Sequence, residues 1–179
     1  MRLLVAVASR HGSTRQIAEE IGRSAARASL LLGEFADVEV RPPAQAGALA
    51  GYDAVILGSA VYNGRWLDEA RRLAESERVV LARLPVWLLS CGLPGTSAGE
   101  AIAPAEAARL ENLVRSHEHR VFRGKLDWHG LDPGEREHAV KLRLGCGDQR
   151  DWADIRNWAY TVIGALHAAE TAVPDRLAG

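Results

Sequence analysis

Short, unbroken apolar runs alternate with stretches of helical periodicity along nearly the whole chain, and few architectures accept that pattern. Leu3-Leu4-Val5-Ala6-Val7, Ala54-Val55-Ile56-Leu57-Gly58-Ser59 and Pro85-Val86-Trp87-Leu88-Leu89-Ser90-Cys91-Gly92 are segments of strand length. Their hydrophobicity is continuous rather than alternating, which marks strands buried on both faces. Between them Ile17, Ile21, Ala25 and Ala28 recur at helical spacing through residues 15–32. Trp66, Leu67, Ala70, Leu73 and Ala74 predict a second helix, and residues 103–116 a third. Val38-Glu39-Val40 reads as a short strand ended by Pro42-Pro43, and residues 121–126 as the last strand. The last helix spans residues 151–168, with Asp151 at its N-cap. Trp152, Ile155, Ala159, Val162, Ile163 and Leu166 form its core stripe, and Trp158 falls beside the stripe, where exposure would make it a homodimer contact. Strand and helix in strict alternation specify βαβ units, hence an α/β fold with a parallel sheet covered on both faces.

The chain has 179 residues, enough for one domain with a well-covered core. Residues 1–170 are expected to form it, with an irregular insert near 127–147 carrying a short helix at 135–144, and residues 171–179 as a tail. The net charge of −1 supplies no field for nucleic acid or an anionic membrane. The apolar N-terminal run is too short for a membrane span and has the wrong shape for a signal peptide, so a cytoplasmic protein without an integral span is expected. Cys91 and Cys146 lie far apart without C-x-x-C spacing, which argues against a disulfide framework or a metal site.

Sheets of this kind bind ligands beyond the carboxyl ends of their strands. The strand-to-helix loops at residues 9–14, 59–65 and 90–96 are all rich in Gly, Ser or Thr. In Ser9-Arg10-His11-Gly12-Ser13-Thr14, hydroxyls, a close-approach glycine and the positive end of a helix come together. No G-x-x-x-x-G-K-[ST] or G-x-G-x-x-G is present, so the loop suits the terminal phosphate of a mononucleotide such as FMN. A second reading is a plain capping box, Ser13 with Gln16. Tyr62 can stack on a ring while its hydroxyl stays wet, or be an ordinary half-buried loop aromatic. Trp66 is expected in the helix core, and Cys91 as a buried, inert strand-end thiol. His117-x-His119 is only superficially a metal pair, and at a helix end it would stabilise the dipole. Arg65, Arg71 and Arg72 read as a solvated helix face, and Asp148, Arg150 and Asp151 as residues that cap and pin the last helix.

The loop S-R-H-G-S-T, the strand-loop V-I-L-G-S-A-V-Y-N-G-R-W and the strand-loop L-L-S-C-G-L-P-G resemble flavodoxin-like proteins in content and order, over nearly the whole chain. The resemblance implies a flavodoxin-like three-layer αβα fold whose doubly wound, five-stranded parallel sheet has the order 2-1-3-4-5. It implies FMN, with Ser9, His11, Gly12, Ser13 and Thr14 around the phosphate. Ala60, Val61, Tyr62, Asn63 and Gly64 would line one side of the isoalloxazine, and Ser90, Cys91, Gly92 and Leu93 the other. His11 replaces the threonine usual in the family's phosphate loop. Asn63-Gly64 tolerates positive φ, so its peptide is able to turn over and offer a carbonyl to flavin N5.

F-R-G-K-L-D, a helical insert and then G-D-Q-R-D-W resemble the branch that includes menaquinone-dependent protoporphyrinogen dehydrogenases. In that branch the insert is basic and aromatic. In this chain Trp128, Arg136, Lys141 and Arg143 are offset by Asp132, Glu135 and Glu137, which argues against a porphyrin. The implied function is an FMN-dependent oxidoreductase passing electrons or hydride to a quinone-like or other small acceptor. The flavin would carry the chemistry, and no side chain need be catalytic. The donor would be NAD(P)H sharing the flavin face, or a redox partner protein. A flavodoxin-type electron carrier and a flavin-free interaction module are the alternatives. Arg65 beside the ring loop and the near-zero net charge count against the carrier.

Overall fold

A computed structural model describes residues 1–92, 103–141, 144 and 146–172. Five parallel strands, β1 (Arg2–Ala8), β2 (Asp37–Arg41), β3 (Ala54–Tyr62), β5 (Val86–Gly92) and β6 (Glu118–Arg123), lie in the order β2-β1-β3-β5-β6. This is the expected 2-1-3-4-5 order once β4 (Arg65–Trp66), a short antiparallel return on β3, is set aside. The helices are α1 (Ser13–Leu31), α2 (Asp68–Ser76), α3 (Arg78–Leu81), α4 (Pro104–Val114), α5 (Pro133–Lys141) and α6 (Trp152–Thr171). None of them is long and apolar enough to cross a membrane, among the described residues.

The continuous apolar strands feed two cores because successive side chains point to opposite faces. Leu3, Val5, Val7, Ala54, Ile56, Trp87, Leu89 and Cys91 pack under α1 and α6. Leu4, Ala6, Val55, Leu57, Val86 and Leu88 pack under α2, α3 and α4. Each fully buried aliphatic side chain contributes about 1.5–3 kcal/mol. The register runs Ala8↔Ser59, Ser59↔Ser90 and Gly92↔Arg123, so the carboxyl ends of β1, β3, β5 and β6 open at one edge of the molecule.

Three local expectations are corrected. Trp66 belongs to β4, not to a helix, because Asn63 (φ 50°) and Gly64 (φ 73°) form the two-residue turn that reverses β3. Trp158 is buried, so it offers no dimer contact: its ring packs edge-on against Phe122, centroids 5.6 Å apart, and its indole N–H donates to Glu118 at 2.9 Å. The last sheet strand ends at Arg123, and Lys125–Leu126 (β7) pairs antiparallel with Gly147–Asp148 (β8) in a separate ribbon. The break falls at Gly124, where a Cβ would come within 2.8 Å of the Gly92 carbonyl oxygen.

The ribbon and α5 form an appendage with its own small core of Leu126, Leu131 and Ala139, joined by Trp128 and Leu144. It is tied to the sheet domain at both ends. The Gly124 N–H donates to Gly92 O at 2.9 Å and the Gln149 N–H to Gly124 O at 3.2 Å. Arg150 grips Asp148 through two bonds of 2.8 and 2.6 Å and reaches Gln16 of α1 at 2.5 Å. Asp151 caps α6 as expected, accepting from the Ala153 and Asp154 N–H groups at 3.0 Å.

Candidate functional site

Gly12 occupies the N-cap of α1 with φ +81°, and no side chain caps the helix. The capping box does not form, because both of its members are used by distant residues. Ser13 Oγ accepts from the Lys125 N–H at 2.9 Å, and Gln16 is held by Arg150. The first-turn N–H groups therefore keep the positive end of an uncapped helix, with no acidic residue in that turn to offset it. Beside them Thr14 is buried, and Ser9 Oγ is buried without a hydrogen-bond partner. An unsatisfied buried hydroxyl costs about 1–3 kcal/mol, and a ligand oxygen at this point would relieve it. The donor set fits a phosphate monoester.

Arg10 and His11 point across the loop towards the appendage. Arg10 Nε lies 3.0 Å and His11 Nε2 2.9 Å from Glu135 Oε1, and Arg10 also approaches Asp132 at 3.7 Å. Burial pushes the Glu135 carboxyl up, but hydrogen bonds from the Asp132 N–H and His11 together with the Arg10 charge outweigh it and leave its pKa below the usual value.

At the end of β3, Ala60, Val61 and Tyr62 face the same cleft. The Arg10 guanidinium stands 5.5 Å from the Tyr62 ring centroid. Burial, with Glu135 adding and Arg10 opposing, pushes the Tyr62 phenol up to about 12, so the ring presents a neutral face. Asn63 and Gly64 sit at the hairpin tip and do not line the cleft. The Gly64 carbonyl accepts from the Ala103 N–H at 2.8 Å, which ties the hairpin to the start of α4.

At the end of β5, Cys91 and Gly92 line the cleft. Burial pushes the Cys91 thiol up, against hydrogen bonds from Thr14 and Ser13 that pull it down. Ser90 points to the other face of the sheet. Its hydroxyl accepts from Trp66 Nε1 at 2.7 Å and lies 2.8 Å from His119 Nε2, while His119 Nδ1 lies 2.9 Å from Glu111 Oε1. The order Ser–His–Glu is that of a hydrolytic relay, but Ser90 is 0% exposed and its oxygen is already held by the Trp66 indole. The network fastens β4 to the sheet. His119 is thus a strand residue, not a helix-end cation, and burial lowers its pKa against the pull of Glu111. His117 stacks on Trp87, centroids 4.9 Å apart. Arg71 is likewise not a free surface charge, since it pairs at 3.1 Å with the buried Glu106.

Ser9, His11, Ser13, Thr14, Ala60, Val61, Tyr62, Cys91 and Gly92 are brought together around one cleft of about 160 Å³, with Gly12 at the base of its first loop. Leu93 lies outside the described residues. Sequence reasoning missed Arg10 and the wall formed by Gly124, Lys125, Leu126, Asp127, Gly130 and Leu131. The F-R-G-K-L-D segment was the available signal for that wall.

A sequence model of the flavodoxin domain matches residues 4–151. The chain belongs to the flavodoxin-domain family. No curated protein matches it. Among solved structures, a flavodoxin from the domain Archaea has 16% identity and a TM-score of 0.60, over 93% of this chain and 99% of its own. An oxidoreductase from Corynebacterium diphtheriae has 16% identity and a TM-score of 0.58, over 92% and 98%. Oxidised flavodoxin 2 from Bacillus cereus has 16% identity and a TM-score of 0.58, over 93% and 99%. At these identities the likeness speaks for the fold of this flavodoxin-domain chain.

Proposed function

We propose that this flavodoxin-domain protein binds FMN and acts as an FMN-dependent oxidoreductase towards a quinone-like or other small acceptor. The observation that carries the reading is the first loop: an uncapped helix start, a left-handed Gly12 and an orphaned Ser9 hydroxyl at the mouth of a cleft that holds Tyr62. Ser9, Gly12, Ser13 and Thr14 would hold the phosphate, with His11 beside it. Tyr62, Ala60 and Val61 on one side and Cys91 and Gly92 on the other would bound the ring. Bound FMN supplies hydride and single-electron chemistry. The chain's part is to orient the ring and to keep water from it. Tyr62 remains protonated and uncharged beside the ring.

Two features favour an enzyme over a dedicated electron carrier. The appendage walls the cleft on the side of Lys125–Leu131, as a small-molecule pocket requires and a docking edge for a protein partner does not. Arg65 stands exposed beside the hairpin, where an acidic steering surface would be expected of a carrier. The position of the appendage supports kinship with the branch containing menaquinone-dependent protoporphyrinogen dehydrogenases, and its mixed charge favours a small quinone over a porphyrin. The electron donor would be NAD(P)H or a redox partner protein. Turnover of menadione with NAD(P)H by the FMN-loaded protein is the test. Steady oxidation of the nicotinamide supports the enzyme, and flavin binding without turnover removes NAD(P)H as the donor.

A further inference from the structure

The cationic side of the phosphate loop is already matched to an anion of the same chain. Glu135, on α5 of the appendage, places one carboxylate oxygen within 3.0 Å of both Arg10 Nε and His11 Nε2, residues more than a hundred positions away. Its other oxygen accepts from the Asp132 N–H at 3.0 Å, and the Glu135 N–H returns a bond to Asp132 Oδ1 at 2.8 Å. That reciprocal pair is a capping box, so the carboxylate is fixed to the start of α5. The cleft next to this contact takes its appendage wall from residues 124–127, 130 and 131, and Arg10 and His11 are shared between that cleft and Glu135.

We propose that Glu135 is a resident anion of the phosphate loop, and that a phosphate monoester enters by exchanging with it and releasing α5 from Arg10 and His11. The inference rests on the reading of the loop as a phosphate cradle, and it adds the element that regulates access. Arg10 and His11 cannot hold the Glu135 carboxylate and an incoming phosphate at the same time. The exchange swaps one carboxylate for a more highly charged phosphate, and the helix start and the Ser9 hydroxyl add donors that Glu135 does not use.

Glu135→Gln isolates the charge: glutamine keeps an oxygen for the Asp132 N–H, so the helix start survives. Glu137→Gln removes the same charge from the same helix, where the side chain pairs with Lys141 at 2.8 Å. FMN is titrated against the three proteins by fluorescence quenching, and amide exchange is followed across residues 133–141 with and without FMN. Glu135→Gln is expected to bind FMN about three- to tenfold more tightly than wild type, and Glu137→Gln as wild type. Exchange in α5 should rise in wild type on adding FMN, and in Glu135→Gln without it. Equal or weaker binding by Glu135→Gln than by a wild type that binds FMN overturns the anion exchange and leaves the FMN site standing. Tighter binding with no change in α5 exchange also overturns it, reducing Glu135 to a repelling charge. FMN binding by none of the three overturns the cofactor reading itself, and this proposal with it.

Discussion

Replacing Ser90 by alanine removes one oxygen and leaves two buried groups without partners, and the cost follows from their places. Trp66 Nε1 donates to Ser90 Oγ at 2.7 Å, and His119 Nε2 lies 2.8 Å from the same atom. Since Trp66 can only donate, Ser90 accepts from it and gives its own proton to His119. The imidazole then keeps its hydrogen on Nδ1 for Glu111. Trp66 is 2% exposed and the His119 side chain 5%, so water cannot replace the hydroxyl without rearrangement. Each orphaned group costs about 1–3 kcal/mol, and partial relaxation of the two towards each other puts the total near 2–4 kcal/mol. For a domain of this length that lowers Tm by about 5–15 °C. Thermal and urea unfolding followed by circular dichroism read it directly. Ser76→Ala, at an exposed hydroxyl near the end of α2, should stay within about 0.5 kcal/mol of wild type. A Ser90→Ala protein as stable as the Ser76→Ala control would refute the network as the fastening of the hairpin.

Two further outcomes follow from burial. Because burial lowers the His119 pKa, the folded state resists a proton that the unfolded chain accepts. The stabilisation from the neutral ring is therefore complete above about pH 6.5 and is lost as the pH falls below it. The stability gap between wild type and His119→Asn should narrow between pH 7 and pH 5, and a widening gap contradicts the assignment. A thiol reagent should modify Cys146, which is exposed, in the native protein and reach Cys91 only after unfolding. Equal rates at the two thiols would place Cys91 at the surface.

The strand–helix order was legible because β1, β3 and β5 are continuous apolar runs, and only a sheet covered on both faces calls for them. The same strands also held unused information. Side chains alternate, and parity with Val86 and Leu88 already assigned Ser90 to the other core. Asn63-Gly64 was a hairpin signal in plain view, outweighed by Trp66, Leu67 and Ala70 falling at helical spacing by coincidence. The remainder was out of reach of local pattern. Ser13 and Gln16 satisfy a capping box on paper, yet their partners Lys125 and Arg150 lie 112 and 134 residues away. The contact of Glu135 with His11 spans 124 residues, and no periodicity encodes it.

The central claim is that the β1–α1 loop recognises the phosphate of a flavin mononucleotide. Titrating the protein into FMN and, separately, into riboflavin isolates that phosphate, since the two flavins differ in nothing else. The account predicts quenching of FMN fluorescence at one equivalent and at least tenfold weaker binding of riboflavin, with the margin shrinking in Ser9→Ala. FMN that stays fully fluorescent in excess protein, or that binds no better than riboflavin, contradicts it.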